Sequence, residues 1–256
     1  MTTTVAQSTV LAILLASVRT GAWLTLCPPF NSGGIPTVVK ALLSVAITLP
    51  MTPLLVRGVP TDPSIGVLVA AILEQAMIGA ALGFLTALLF AAVQAAGSLI
   101  DTFGGFSVAF AFDPFSKAGN AVFGRFYNVT ATALLFGTDA HQLVLRGFTQ
   151  SFKAIPLTGV LSLNGVNSLL SAGLSQMFFA SLQIAAPLIA VLFLTDIALG
   201  LLSRVAPSLN AFGLGFPAKI LLTLTIAGSG LALLPGSVAS LTAKAVTAVL
   251  RLIGTP

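Results

Sequence analysis

The sequence is poor in the residues that most catalytic and metal sites need. Among 256 residues there is one cysteine, Cys27, and one histidine, His141. A lone cysteine excludes an internal disulfide and a cysteine-based metal cluster. A lone histidine excludes the paired histidines of a zinc protease, and no serine in a nucleophile context has a histidine partner. His141, two residues after Asp139, is expected to be solvated or to cap a helix.

Phosphate-binding and dinucleotide-binding motifs are missing as well. Together with the lone cysteine and histidine, this predicts that the chain is not an enzyme and holds no cofactor and no metal. Charge is equally scarce, because 7% of residues are charged against about a quarter in an ordinary soluble domain. The eleven Lys and Arg residues stand singly, without the basic tract that nucleic acids require, so no nucleic-acid partner is predicted.

What the chain does have is apolar residues, which make up 57% of it at a mean hydropathy of +1.08. This composition indicates a bilayer or a very apolar assembly. No alternating strand pattern occurs, and a backbone exposed to lipid must satisfy its own hydrogen bonds, so the apolar runs predict an all-α membrane protein. The expected helical segments are 5–26, 38–56, 65–100, 121–148, 167–203 and 214–234, with an amphipathic tail at 238–252.

Two of these segments are too long for a simple span. Residues 65–100 as one straight helix would measure about 54 Å, against about 30 Å for the hydrocarbon core. This segment is expected to tilt strongly, to break, or to leave the bilayer. The segment 167–203 is as long and carries Pro187 in its middle, where the missing N–H predicts a kink or a split.

Small residues recur every fourth position on the third segment, at Gly79, Gly83, Ala87, Ala91 and Ala95. Such a stripe predicts a surface that another helix approaches closely. The partner helix could belong to the same chain or to another subunit.

Four ionisable residues fall within apolar runs: Arg19, Glu74, Asp196 and Arg204. Charges are costly in lipid and usually face a cavity or a partner. Glu74 with its neighbour Gln75 could form a buried structural pair, a hydrogen-bond site between subunits, or a proton site. Asp196 and Arg204 are eight residues apart, too far for an easy ion pair on one helix, so each is expected to have a different partner.

The stretch from residue 101 to residue 127 holds seven of the eighteen phenylalanines and is punctuated by glycine. An apolar loop beside membrane segments lies against protein or lines a cavity, so it is a candidate gate or plug. The alternative is a re-entrant loop that fills a core. The candidate gate residues are Phe103, Gly104, Gly105, Phe106, Phe110, Phe112 and Phe115, with Gly104 and Gly105 as a hinge.

A second cluster of proline and glycine follows the 167–203 segment. It comprises Pro207, Asn210, Gly213, Gly215 and Pro217. Proline and glycine at this density predict a break between helices, and we expect the break to shape a subunit interface.

Three segments in order resemble the FliR/SctT family of type III secretion export-gate subunits. They are AAGSLIDTFGGFSVAFAFDP (95–114), HQLVLRGFTQSFKAIPLTG (141–159) and LGLLSRVAPSLNAFGLGFPAKI (199–220). The last of them is similar to the flagellar branch. The resemblance covers most of the chain.

The resemblance implies a subunit of a flagellar type III protein export gate in the bacterial inner membrane, at the flagellar basal body. FliP-like and FliQ-like subunits would complete a channel for unfolded flagellar substrates, with the Phe/Gly-rich loop as plug and FlhB-like and FlhA-like proteins as further partners. It also implies a FliP-like portion over about 1–190 and a FliQ-like helical hairpin over about 190–256.

Two competing hypotheses come from other classes of protein. A polytopic transporter of a small substrate would need internal repeats and polar groups around a midplane site. No convincing repeat is present, and Glu74 and Asp196 offer few polar groups. The second is a membrane scaffold without a pore.

Overall fold

The computed structural model describes residues 2–56, 59, 63–106, 121–158, 163–206 and 211–252. Every regular element among them is helical, which confirms the all-α prediction. The helices are α1 (Thr2–Leu26), α2 (Thr37–Thr48), α3 (Thr52–Leu55), α4 (Ile65–Phe103), α5 (Val122–Gly137), α6 (Ala140–Ala154), α7 (Leu163–Val205), α8 (Ala211–Gly230) and α9 (Leu234–Leu252). Single turns of 3₁₀-helix at Leu49–Met51 and Leu231–Leu233 continue α2 into α3 and α8 into α9.

Within the described residues, five helical stretches are long and apolar enough to cross a membrane. They are Gln7–Leu26, Thr37–Leu55, Ile65–Phe103, Gly165–Val205 and Gly215–Lys244. The prediction of a membrane protein is therefore confirmed.

The two overlong segments are both continuous helices. α4 runs for 39 residues, about 58 Å, without a break. α7 runs for 43 residues through Pro187, so the proline does not split it. One proline removes a single N–H donor, and the many remaining hydrogen bonds of so long a helix keep it continuous.

The predicted segment 121–148 is wrong as one helix. α5 ends at Gly137, and Asp139 then takes a left-handed conformation at φ 56° before α6 begins. Asp is one of the few residues with a side chain that enters this region readily. The three-residue pattern of a glycine followed two residues later by an aspartate is therefore the local signal for the break.

The predicted break over 207–217 is also too long. Gly213, Gly215 and Pro217 lie inside α8, which begins at Ala211. Pro217 falls in the second turn, where few intrahelical hydrogen bonds precede it, and the apolar run that follows continues the helix. Pro207 and Asn210 lie outside the described residues.

The chain forms two compact units, each built from separate stretches. The first comprises Met1–Leu88, Asp139–Leu174 and Thr242–Pro256, and the second Leu89–Thr138 and Ser175–Leu241. The predicted boundary near residue 190 concerns likeness to FliP and FliQ rather than compactness, so it stays a prediction.

The core of the first unit centres on Trp23 of α1, which is 1% exposed. Its ring stacks on Phe148 of α6 with 4.4 Å between ring centroids, and Phe148 meets Phe152 edge to face at 5.5 Å. Ile78 and Leu82 of α4 complete this cluster. Aromatic pairs in these geometries add to the stabilisation from burial.

In the second unit, α4 and α5 approach closely through two glycines. A Cβ at Gly97 would clash with the backbone of Phe123, and one at Gly124 would lie 2.6 Å from the Ser98 hydroxyl. Ile100 and Tyr127 are buried beside this crossing. The close approach holds the start of α5 against the end of α4.

Candidate functional site

The candidate gate loop leaves α4 after Phe103 and returns to the described chain at Ala121. The structure describes its stem, which comprises residues 101–106 and 121–124. Phe110, Phe112 and Phe115 lie outside the described residues, and their sealing role stays a prediction.

Asp101 joins the two sides of the stem. This side chain is 2% exposed. Its Oδ1 accepts a hydrogen bond from the Phe123 N–H and its Oδ2 one from the Gly124 N–H, each at 3.0 Å. These N–H groups belong to the first turn of α5, where no carbonyl of the helix can reach them. The last turn of α4 thus supplies the carboxylate that caps α5, and a negative charge is favoured at that end of a helix.

Gly104 and Gly105 end α4 in a tight turn. The Gly104 N–H donates to the Ile100 carbonyl at 2.7 Å, and Gly105 has φ +85°, the left-handed conformation that commonly terminates helices. Both glycines face α8. A Cβ at Gly104 would lie 2.8 Å from the Thr223 side chain, and one at Gly105 would lie 3.4 Å from the Phe216 ring. Their role as a hinge stays a prediction.

Aromatic contacts add to the stem. Phe106 meets Phe123 edge to face with 5.2 Å between ring centroids, and Phe123 in turn contacts Tyr127 at 6.5 Å. Phe103 and Phe106 are half-buried. The stem is therefore closed by a carboxylate and by a pair of aromatic rings.

The stripe on α4 packs against α1 of the same chain at its first two positions. A Cβ at Gly79 would clash with the Arg19 carbonyl, and one at Gly83 would lie 2.8 Å from the Trp23 carbonyl oxygen. Ala87 and Ala91 are half-buried, as is Ala95.

A second polar site lies in the first unit, at Arg19 of α1, which is fully buried. Its Nε donates to the side-chain oxygen of Gln75 at 2.6 Å. The two terminal nitrogens donate to the carbonyls of Ser151 at 3.2 Å and Ile155 at 2.8 Å. The guanidinium also lies over the ring of Phe152, 4.4 Å from its centroid.

These contacts place a positive charge at the carboxyl end of α6, where the helix dipole favours a cation. Gln75 itself is fully buried and donates from Nε2 to the Leu157 carbonyl at 3.0 Å. Arg19 and Gln75 therefore fix the chain just beyond α6 against α1 and α4.

Glu74 is the neighbour that sequence analysis singled out, and it is half-buried rather than buried. Its carboxylate attracts Arg19 electrostatically and so balances part of the buried charge. Gln75, rather than Glu74, makes the direct hydrogen bond. All three roles considered for Glu74 stay predictions.

In the second unit, Asp196 of α7 pairs with Lys219 of α8. The Lys219 ammonium lies 2.6 and 2.8 Å from the two carboxylate oxygens, and the Asp196 side chain is 46% exposed. Arg204 is exposed. Gly215 packs on Leu199, since an added Cβ would lie 2.9 Å from its side chain, whereas Pro217 is exposed.

Sequence analysis missed three residues that hold helices together. It noted Asp101 only as the start of the loop, it overlooked Gly97 because this residue falls off the four-residue stripe, and it gave Lys219 no partner. No local signal identified Asp101 as a cap, because a capping side chain ordinarily belongs to the residue that directly precedes the helix, which here is Ala121.

The fold and these sites define a class of protein, namely an all-α membrane protein with few charged residues. Its buried charged side chains bind the ends of helices. The model of the family "Bacterial export proteins, family 1" matches residues 10–245. The chain belongs to this family, which is the FliR/SctT family of export apparatus proteins.

Individual relatives agree with the family match. The chain is 29% identical to flagellar biosynthetic protein FliR of Bacillus subtilis (strain 168), over 95% of this chain and 96% of the relative. It is 34% identical to flagellar biosynthetic protein FliR of Escherichia coli (strain K12), over 82% and 78% of the two chains. It is 25% identical to surface presentation of antigens protein SpaR of Shigella sonnei, over 80% and 82%. The chain is accordingly a structural component of a flagellar-type export apparatus.

Proposed function

We propose that the chain is the FliR-like subunit of a flagellar type III export gate in the bacterial inner membrane, at the flagellar basal body. In this proposal it assembles with FliP-like and FliQ-like subunits around a channel for unfolded flagellar proteins. FlhB-like and FlhA-like proteins are its further partners. The observation that carries the proposal is the match to the export family over residues 10–245.

A charged pair on the membrane-capable helices supports assembly with other subunits. Asp196 and Lys219 both lie within stretches that are apolar enough to span a membrane. A carboxylate that is 46% exposed would be costly if lipid covered it. A protein partner or an aqueous channel beside this pair removes that cost.

The loop stem supports the plug. Asp101 binds the first turn of α5, so both ends of the loop start from one fixed point. The proposed plug lies between these two ends in the sequence, at residues 107–120. Phe103, Phe106, Phe110, Phe112 and Phe115 are the residues we propose as the seal, because apolar side chains at a constriction exclude water and ions. Gly104 and Gly105 are the proposed hinge.

The interface residues form a separate part of the proposal. We assign to subunit contact Glu74, Pro207 and Asn210, together with Gly215 and Pro217 of α8. We also assign to subunit contact the stripe positions Ala87 and Ala91, which are half-buried. A FliP-like portion over about 1–190 and a FliQ-like hairpin over about 190–256 are the corresponding divisions of the chain.

Transport of a small substrate has no comparable support. Among the described residues, the buried charged and amide side chains are Arg19, Asp101 and Gln75, and each is engaged in hydrogen bonds within the chain. Asp196 is paired with Lys219.

Co-purification tests the proposal. The chain is expressed with FliP-like and FliQ-like proteins of the same organism, and a tag on this chain recovers the complex. We expect all three proteins in one complex, and we expect Asp196→Lys to lower its recovery because two positive charges then face each other. The double variant Asp196→Lys with Lys219→Asp restores the pair and is the matched control. Recovery of this chain alone, in every variant, would contradict the proposal.

A further inference from the structure

Polar side chains form a seam where α4 and α5 lie side by side in the second unit. The seam comprises Gln94, Ser98 and Thr102 of α4 and Arg125, Asn128 and Thr132 of α5. Members of each set are three or four residues apart, so each set lies on one side of its helix. A hydrogen bond of 3.1 Å from Asn128 Nδ2 to the side-chain oxygen of Gln94 joins the two sets.

The seam is accessible, although α4 belongs to a stretch that is apolar enough to cross a membrane. Gln94, Thr102 and Arg125 are exposed, and Asn128 is half-buried. In the part of the chain that the structure describes, the Arg125 guanidinium has no ion-pair partner. An exposed guanidinium and exposed amides would be costly against lipid, so this side of the two helices requires polar surroundings.

The hydroxyl groups of the seam favour water over a specific protein partner. Ser98 donates to the Gln94 carbonyl at 3.2 Å, and Thr102 donates to the Ser98 carbonyl at 3.0 Å. Thr132 likewise donates to the Asn128 carbonyl at 3.0 Å. Each hydroxyl has one proton, so these groups offer only acceptor oxygens to their surroundings. Water can donate to every such oxygen, whereas a partner helix would have to match each one.

An apolar row lies beside the seam on α5. It comprises Val122, Phe126, Val129 and Phe136, which are all exposed. Val129 directly follows Asn128 and therefore lies about 100° away from it around the helix. The two surfaces of α5 thus require different surroundings, one polar and one apolar. A helix in the wall of an aqueous channel has both.

The seam begins at the loop stem. Asp101, which binds the first turn of α5, lies between Ser98 and Thr102 on α4. From Thr102 the seam extends back to Gln94, which is about 12 Å along the helix. Residues 107–120, the proposed plug, connect α4 to α5 in the sequence. The polar surface therefore starts where the chain enters the proposed plug.

We propose that this seam is a wall of the aqueous export channel, in contact with water and with the unfolded polypeptide that passes through it. The inference rests on the proposed function of the chain as an export-gate subunit. An unfolded polypeptide exposes its peptide groups, and the amides of Gln94 and Asn128 can exchange hydrogen bonds with them as they do with water. Arg125 contributes a positive charge to this wall, which disfavours cations in the channel.

Cysteine labelling in the assembled complex tests whether water reaches the seam. Asn128→Cys places a thiol in the seam, and Val129→Cys is the matched control on the apolar row. In the chain alone Val129 is 62% exposed, so simple exposure would favour the control. We expect a cationic methanethiosulfonate reagent to label Asn128→Cys at least about tenfold faster, because apolar surroundings that raise a thiol pKa by one unit lower the thiolate tenfold.

A second seam variant, Gln94→Cys, should react as fast as Asn128→Cys. Peptide mass spectrometry assigns the label to its residue, and the buried Cys27 gives the baseline within the same chain. If one seam variant does not assemble, the other decides the question.

Ion selectivity gives a second measurement, made on a complex that lacks residues 107–112. Arg125→Glu replaces a positive charge of the wall by a negative one and should shift the permeability ratio towards cations. The exposed Arg146 of α6 gives the control Arg146→Glu, which makes the same change in net charge and should leave the ratio as it is. If this complex does not conduct, cysteine labelling decides alone.

Recovery of the complex distinguishes failure of this inference from failure of the proposed function. If no FliP-like or FliQ-like protein co-purifies, the proposed function fails and the inference fails with it. If the complex forms but neither seam variant reacts faster than Val129→Cys, the inference alone is overturned, because the seam is then covered. An unchanged permeability ratio in Arg125→Glu, in a complex that conducts, would overturn it as well.

Discussion

The Nε of Arg19 donates a hydrogen bond of 2.6 Å to the side-chain oxygen of Gln75, and both residues are fully buried. Fifty-six positions separate them in the sequence. The pair joins α1 to α4 inside an apolar unit, and its remaining hydrogen bonds reach the carbonyls of Ser151, Ile155 and Leu157. One buried cation thus connects three parts of the chain.

Replacement of Arg19 should therefore destabilise the first unit strongly. Arg19→Ala removes the arginine donors of the Gln75 side-chain oxygen and the Ile155 carbonyl, whereas the Ser151 carbonyl keeps the Ile155 N–H. Loss of one partner from a buried polar network costs about 3–5 kcal/mol. Arg19→Lys should recover only part of that loss, because an ammonium lacks the planar set of donors. Thermal unfolding of the purified chain measures the effect. The exposed Arg146 provides the control Arg146→Lys, and an equal shift in both arginine-to-lysine variants would contradict the central role of Arg19.

Cys27 lies just beyond the membrane-capable stretch of α1, and the reactivity of its thiol can be used to measure such unfolding. The thiol is 1% exposed, and burial raises its pKa to about 12, although a hydrogen bond with Thr86 offsets part of the rise. At pH 8 an ordinary thiol with a pKa near 8.5 is roughly a thousandfold richer in reactive thiolate. We expect alkylation of the folded chain to be slower than that of the denatured chain by about this factor.

The same shift gives the sign of a pH effect. Because folding raises the thiol pKa, the stabilisation is complete below about pH 8.5 and is lost as the pH rises towards 12. Alkylation of Cys27 in the native chain at the rate of the denatured chain would contradict its burial.

Asp101 should hold the loop stem closed. Asp101→Ala removes the acceptor for two buried N–H groups, at a cost of about 1–3 kcal/mol for each group left without a partner. Hydrogen exchange at the Phe123 and Gly124 amides is the measurement, and we expect it to accelerate. Asp101→Asn keeps one acceptor oxygen and should protect one amide of the two. Asp139→Asn is the control, since Asn also tolerates the left-handed conformation found there. Unchanged exchange in Asp101→Ala would show that the carboxylate is not the clamp.

The glycine stripe should respond to a single methyl group. Gly83→Ala places a Cβ 2.8 Å from the Trp23 carbonyl oxygen and 2.9 Å from the Leu26 Cβ, so α1 and α4 must separate. We expect a loss of about 1–3 kcal/mol, the usual cost of overpacking. Gly66 lies on the same helix with nothing within 4 Å of an added Cβ. Gly66→Ala should therefore leave the unfolding temperature unchanged or slightly raised. A stable Gly83→Ala chain would exclude close contact at this point.

The sequence allowed much of the fold to be predicted, because an apolar run that needs internal hydrogen bonds has one regular conformation available in lipid. Breaks were harder. α8 continues through Pro217 although proline disfavours a helix. α5 ends at Gly137, just before Asp139, although the apolar pattern resumes there. Tertiary packing and single backbone conformations decide such points, and neither has a periodic signal.

Partners of the charged residues could not be predicted at all. Arg19 was identifiable as a costly charge in an apolar run, but Ser151 is 132 positions away. The four-residue period indicated Gly79 and Gly83. Gly97 falls outside that period, although it allows the close approach of α4 and α5. Only the fold brings such residues together.

Ion conductance across a membrane that carries the assembled complex tests the plug most directly. Phe106 packs in the stem, so the deletion is restricted to residues 107–112, and the single variant Phe106→Leu serves as a control that leaves the rest of the loop intact. The account predicts that the deleted form assembles with its FliP-like and FliQ-like partners and conducts ions, because the apolar constriction has been removed. The Phe106→Leu complex should stay closed. A deleted form that assembles fully and remains as ion-tight as the intact complex would contradict the account.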